Sequence, residues 1–280
     1  MAKHAKHARP RSARPAVCQS TVRVVTPRDR RCAARAAERR RPTMVGVVTN
    51  RADFERLQAD GSTTYRGYGD YLRDVEALLD GLGRDGVEVR GRAFSPADFD
   101  DFCEREGISR ADGDSHFAYT ADPTAEEEWV RWEGEPLAEF LLRVDRAHER
   151  GLVRRQLDRM LAETAEAAVS GEFPEPLLRI AYARGAEALR GFLLGAGEGT
   201  FTVVCSLFDA DLPLVAWADL RLEPGGVMRV DDEDLDLLCE VLCVGHALNR
   251  PGMLSLGGVC AVRGEVGWEW TFDGESFRRV

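Results

Sequence analysis

An α+β fold is what this sequence predicts: an N-terminal αβ segment, a helical middle and a C-terminal antiparallel sheet carrying one helix. Three observations lead there. The charge breaks at Met44: residues 1 to 43 hold 13 Lys or Arg and 2 acids, so 25 of the chain's 38 basic residues and 46 of its 48 acidic ones fall in residues 44 to 280. From Asn50 to about Gly195, apolar residues recur in stretches at helical spacing. After Gly199 the period shortens to two, as in strands covered on one face.

Taken in order, Val45 to Thr49 is a short apolar run that reads as a strand, and Asn50 caps a helix through Phe54 and Leu57. Gly61 to Gly69 (GSTTYRGYG) reads as a loop, with Asp70 capping a helix that aligns Leu72, Val75, Leu78, Leu79 and Leu82. Gly83 to Gly86 stops that helix, and Val87 to Phe94 follows as a strand. Ser95, Pro96 and Asp98 combine a capping hydroxyl, a first-turn proline and an acid at the positive end of the helix dipole. Behind them Phe99, Phe102 and Cys103 face inward. Residues 109 to 136 are polar and acidic, and read only as a connecting segment.

From Leu137, the stripe Phe140, Leu141, Val144, His148, Leu152, Leu157, Met160 and Leu161 gives one long helix, or two that meet at Gly151. Phe173 to Pro176 breaks the pattern. Leu177, Ile180, Tyr182, Leu189, Phe192 and Leu193 build the next helix, closed by Gly195 to Gly199. Phe201 to Phe208, Leu214 to Leu222 and Val227 to Val230 then read as an antiparallel meander, with turns at Asp209 to Pro213 and Pro224 to Gly226. A helix from Asp232 to Asn249 and two strands, Met253 to Val262 and Val266 to Phe272, complete the chain. Trp268, Trp270 and Phe272 alternate onto one face. The division expected is a basic leader (1–43), an αβ region (44–124), a mainly helical region (125–198) and an α+β region (199–280). No internal repeat of fixed period is visible.

Composition bounds the function. The leader suits a disordered tail, a start codon placed upstream of a true initiator at Met44, or a nucleic-acid-binding arm, and it lacks the apolar core of a secretory signal. No run approaches the roughly 18 to 20 apolar residues of a membrane span. A soluble cytoplasmic protein is expected. Seven cysteines at irregular spacing in a long chain point to reduced thiols. Arginine supplies all but two of the 38 basic residues, as a GC-rich coding sequence would dictate. The acidity of the body disfavours direct nucleic-acid binding and favours either basic partners, with protein the expected class, or simple solubility.

Two constellations are candidate sites. Cys239, Cys243 and His246 (CEVLCVGH) occupy helical offsets 0, 4 and 7, so their side chains share a face on which thiolate and imidazole ligands could converge on zinc. Leu235, Leu238 and Leu242 share that face, and core packing is the expected role, with no cofactor. In the second, Tyr65, Arg66, Tyr68 and Asp70 set amphipathic side chains among glycines, a composition suited to a partner or ligand loop. Its plainer role is a loop whose tyrosines pack onto the domain.

Other motifs fail on inspection. Asp209 and Asp211 after an apolar strand resemble the nucleophile loop of haloacid-dehalogenase-like phosphatases, but Pro213 stands where that family has threonine or valine, and a hairpin turn is expected. Asp112, Asp114 and His116 open like a calcium loop, yet Phe117 and Pro123 occupy its glycine and glutamate positions. The acidic run Asp231 to Asp236 decorates a helix N-terminus. The expectation is a non-enzymatic interaction or regulatory protein; the alternative is a small enzyme with a site assembled from distant residues, with zinc as one option for its chemistry.

Overall fold

The computed structural model describes residues 42 to 280, apart from 113, 168 to 174, 209 to 212 and 275. The leader up to Arg41, the Asp209 to Leu212 turn and most of the break before Glu175 therefore lie outside the described residues.

Three short strands open the fold. Thr43–Val47 (β1) pairs in parallel with Val89–Ala93 (β2), and Val130–Arg131 (β3) pairs antiparallel with the far edge of β2. A parallel pair needs a crossover, which Arg51–Ala59 (α1) and Tyr68–Arg84 (α2) supply. Asn50 caps α1 by accepting from the Asp53 amide. The cap of α2 is Gly67, three residues before the cap expected at Asp70, which instead lies in the first turn. Pro96–Glu106 (α3) starts at Ser95, whose hydroxyl accepts from the Asp98 amide, and ends at Gly107 with φ 66°, a left-handed cap that a Cβ would strain.

The stretch without periodicity contains regular structure among its described residues. It holds Ser115–Thr120 (α4), a 3-10 helix over Pro123–Glu128, and β3. Each face of the small sheet is covered: Val45, Val47, Val89 and Ala93 pack with Val75, Leu79, Phe140 and Val144, while Val48 and Phe94 pack with Phe54, Phe99, Phe102 and Tyr119.

Leu137–Ala167 (α5) is one helix, unbroken at Gly151. Phe140 and Val144, near its start, belong to the small core; Leu157 and Met160, near its end, belong to the large one. Glu175–Ala196 (α6) follows, and its buried row is Ala181, Gly185, Leu189, Leu193 and Ala196. Leu177 and Ile180, expected inside, are 50 % and 53 % exposed. Small residues replace them at the contact because α6 lies close to Asp232–Leu248 (α7): a Cβ on Gly185 would stand 2.9 Å from Leu242 Cβ.

The large sheet runs β6-β5-β4-β7-β8-β9, all antiparallel, with β4 at Gly199–Leu207, β5 at Leu214–Glu223, β6 at Val227–Val230, β7 at Gly252–Cys260, β8 at Gly264–Phe272 and β9 at Phe277–Arg279. β9 has no counterpart in the sequence reading. Phe201, Val203, Leu254 and Leu256 point to the helices, and Trp268, Trp270 and Phe272 share that face. The opposite face carries Val215 and Val259 into solvent and leaves Trp217 partly exposed under Arg146 of α5.

The topology is a repeat that residue periodicity conceals. Helix α6 with β4, β5 and β6 is followed by helix α7 with β7, β8 and β9, with strand lengths 9, 10 and 4 against 9, 9 and 3. The halves meet where β4 pairs β7, Gly199 opposite Cys260 and Leu207 opposite Gly252. Both halves open on a glycine with no room for a side chain: a Cβ would lie 2.2 Å from the Val259 oxygen at Gly199 and 2.3 Å from the Ser206 oxygen at Gly252. One displacement of 53 positions (252 − 199 and 259 − 206) relates the two contacts. No described helix is long and apolar enough to cross a membrane.

Candidate functional site

Helix α5 carries two charged rows that fix the surroundings of the site. On one side, Glu128 is 2 % exposed and gathers three donors: Arg92 Nε at 3.3 Å, His148 Nδ1 at 3.3 Å and Arg155 Nη1. Arg155 also reaches Asp98 at 2.9 Å, and Arg92 donates to the Tyr119 carbonyl while lying 4.3 Å over its ring. Burial alone would push the Glu128 carboxyl up; the His148 hydrogen bond and the Arg155 and Arg92 charges overcome it and hold the group at about 2. A carboxylate so firmly ionised fastens the 3-10 helix to β2 and α5. It has no room to spare: a Cβ on Gly151 would stand 2.4 Å from Glu128 Oε1.

On the other side, Arg146, Arg150 and Arg154 recur every four residues and face α7. Arg146 donates to both Asp234 oxygens, at 3.1 and 2.6 Å, Arg150 to the same carboxylate at 3.1 Å, and Arg154 to Glu240 at 3.2 Å. Asp231 caps α7 by accepting from the Glu233 and Asp234 amides.

Between this row, β3, β5 and the first turn of α7 lies a cleft of about 770 Å³. Two indoles, Trp129 and Trp217, stand in its walls with eight carboxylates and four guanidinium groups; half of the carboxylates are the run Asp231, Asp232, Glu233 and Asp234. Structure consumes the arginines Arg146 and Arg150 in the pairs above. Asp145 accepts a hydroxyl from Thr49 at 2.7 Å, and Asp219 another from Thr202 at 2.6 Å. Burial, then the Asp145 and Asp234 charges, push the Glu149 carboxyl up. Negative charge here is in excess of its partners, which gives the cleft a negative potential. Two buried donors in the same walls, Trp129 Nε1 and Arg146 Nη1, meet no hydrogen-bond acceptor among the described residues. A buried N–H of that kind favours a ligand that also carries carbonyl oxygens.

The sequence-derived candidates lie elsewhere. Tyr65, Tyr68 and Tyr71 pack with Phe54, Tyr68 and Tyr71 stacking at 6.0 Å, and their hydroxyls tie the chain after β1: Tyr68 donates to the Val48 carbonyl at 3.1 Å and Tyr71 accepts from the Val48 amide at 2.8 Å. Burial pushes the Tyr71 phenol to about 12. Arg66 is exposed and Asp70 pairs with Arg73. Cys239 and Cys243 are buried toward α6, where Cys243 Sγ meets the Leu178 carbonyl at 3.4 Å, and burial pushes the Cys239 thiol up and the Cys243 thiol to about 11. His246 instead stands edge-on to Phe272 at 4.6 Å. Among the described residues no group of three or more His, Cys, Asp or Glu side chains is arranged to hold a metal ion. The cleft itself was beyond sequence reasoning, because Trp129, Arg146, Trp217 and Asp232 come from four separated segments.

The profile of a family described as Domain of unknown function (DUF8829) matches residues 30–135. That stretch takes in β1 to β3 and stops before α5, so Trp129 falls inside it and most of the cleft outside. No curated protein and no solved structure matches the chain.

Proposed function

We propose that the protein is a non-enzymatic interaction or regulatory protein of the cytoplasm, and that its cleft takes a basic segment of a protein partner. One observation carries this reading: a cleft with eight carboxylates and four arginines, two of the arginines already paired with Asp234, also presents two unsatisfied donors. An extended peptide meets both needs. Its Lys or Arg side chains answer the carboxylates, and its carbonyl oxygens answer Trp129 Nε1 and Arg146 Nη1. The other ionised cluster supports a structural role, since Glu128 at about 2 stays ionised at neutral pH and is a poor proton carrier there.

Fluorescence anisotropy with a labelled oligo-arginine peptide tests the proposal. Binding that weakens with salt and is lost in Glu149→Arg/Asp232→Arg supports it. Equal binding by that variant, or none by the wild type at low salt, refutes it.

A further inference from the structure

The two αβββ halves of the large sheet differ at one place. In the second half, Phe272 of β8 and Phe277 of β9 stand opposite each other and stack with centroids 4.7 Å apart. His246 covers Phe272 at 4.6 Å, and Phe192 meets Phe277 at 5.0 Å. Those rings close the space between the helices and the outer strands. In the first half the equivalent cross-strand pair is Leu222 of β5 and Met228 of β6. The equivalence follows from register: Leu222 pairs with Gly199 and Phe272 with Gly252, the glycines that open the two halves.

Among the described residues no aromatic ring lines that place in the first half, and the space is open. A cavity of about 430 Å³ lies among Leu189 and Leu193 of α6, Leu235 and Cys239 of α7, and the Leu222–Met228 pair. Its lining is chiefly aliphatic; three charged residues, Arg190, Glu198 and Glu223, also line it, and Glu223 pairs with Arg229 at 2.7 Å. The volume falls in the range of small-molecule sites, roughly 300 to 1,000 Å³. Its shape is set by a fold that fills the same place with stacked rings one repeat later.

We propose that this cavity is a ligand site for a small molecule with an apolar aromatic ring, seated where the second half seats Phe272 and Phe277. Flat rings fit between two helices and a strand pair without polar partners, and the aliphatic walls supply dispersion contacts over both faces of the ring. The site is separate from the acidic cleft, and neither proposal depends on the other.

The test uses the full chain with indole as probe, followed by the ε-methyl resonances of its five methionines. Indole should shift the Met228 signal saturably and leave Met253, on the opposite face of the sheet, unmoved. Leu222→Phe/Met228→Phe copies the second half into the first; it should raise the melting temperature and weaken indole binding by at least about tenfold. Met228→Phe alone, at a partly exposed position, guards against a double variant that fails to fold and should weaken binding in the same direction. Val227→Phe, on the solvent face of the same strand, should bind as the wild type does. Absence of a saturable Met228 shift, or undiminished binding in Met228→Phe, overturns the proposal.

Discussion

Arg146 meets Trp217 twice: its guanidinium carbon lies 3.0 Å from the centre of the indole, and its Nη2 donates to the Trp217 carbonyl at 3.3 Å. β6 pairs only with Leu220 to Glu223, so the first part of β5 has no strand beside it on that edge among the described residues. Helix α5 covers this bare edge, and Arg146 supplies a donor that a neighbouring strand would have given. Arg146→Ala should therefore cost about 1 to 3 kcal/mol, seen as a lower urea midpoint at constant slope. Arg146→Lys should recover only part of it, because an ammonium cannot hold both Asp234 oxygens while stacking on the ring. Full recovery by lysine would contradict this.

Glu128→Gln leaves Arg92 buried opposite a neutral amide and should destabilise by about 3 to 5 kcal/mol. The wild-type carboxyl also makes stability depend on acid. Its folded value near 2 lies below the ordinary 4.5, so its contribution is complete above pH 4.5 and is lost as pH falls toward 2. Acid titrations of wild type and Glu128→Gln should converge across that window; parallel curves would show that the carboxylate is not the group responsible.

Alanine is the better helix former, worth about 1 kcal/mol over glycine in an exposed helix. At position 151 the sign should reverse, because the added methyl drives against Glu128 Oε1, which Arg155 holds in place. A net loss of about 1 to 3 kcal/mol is expected by thermal unfolding. A more stable Gly151→Ala would mean that Glu128 moves freely.

Glu149 gives the cleft a pH signature. Its carboxyl is pushed up, so mild acid neutralises it before ordinary carboxylates. Oligo-arginine affinity should rise with pH through the carboxylate range, with protons released on binding, and Glu149→Gln should flatten the curve. Calorimetry in buffers of differing ionisation enthalpy reads the proton release; none at mildly acidic pH would remove Glu149 from the contact.

Zinc would need the Cys239 and Cys243 thiols to ionise and His246 to leave Phe272. The chain purified without chelator should carry no zinc by native mass, and chelation should not move its melting temperature. Retained zinc that disappears in Cys239→Ser and His246→Ala would restore the three-ligand alternative.

Local chemistry made much of the fold readable. Asn50, Ser95 with Pro96, and Asp231 announce helix starts through the hydrogen bonds they accept, and strands β4, β5, β7 and β8 alternate because one face meets helices. What stayed hidden depends on partners distant in the chain. Arg92 and Glu128 look like solvated charges, yet each buries the other across 36 positions. Ala181 and Gly185 carry little hydrophobic signal but form the ridge of α6, whereas Leu177 and Ile180 signal burial and lie outside. The cleft joins segments from Trp129 to Asp234, and no single one of them is distinctive. The αβββ repeat is carried by pairing geometry, in which phenylalanine and leucine serve the same position.

Helix α5 has one further consequence. The stretch shared with the DUF8829 family ends at residue 135, two residues before the helix that lays Phe140 and Val144 across the small sheet. A Cβ on Gly91 of β2 would stand 2.4 Å from the Phe140 ring, so the sheet is cut to fit that helix. Excised at residue 135, the segment would present Val45, Val47 and Val89 to water with one wall missing. Any relative built from the shared stretch alone must recruit a substitute wall, from its own later sequence or from another chain.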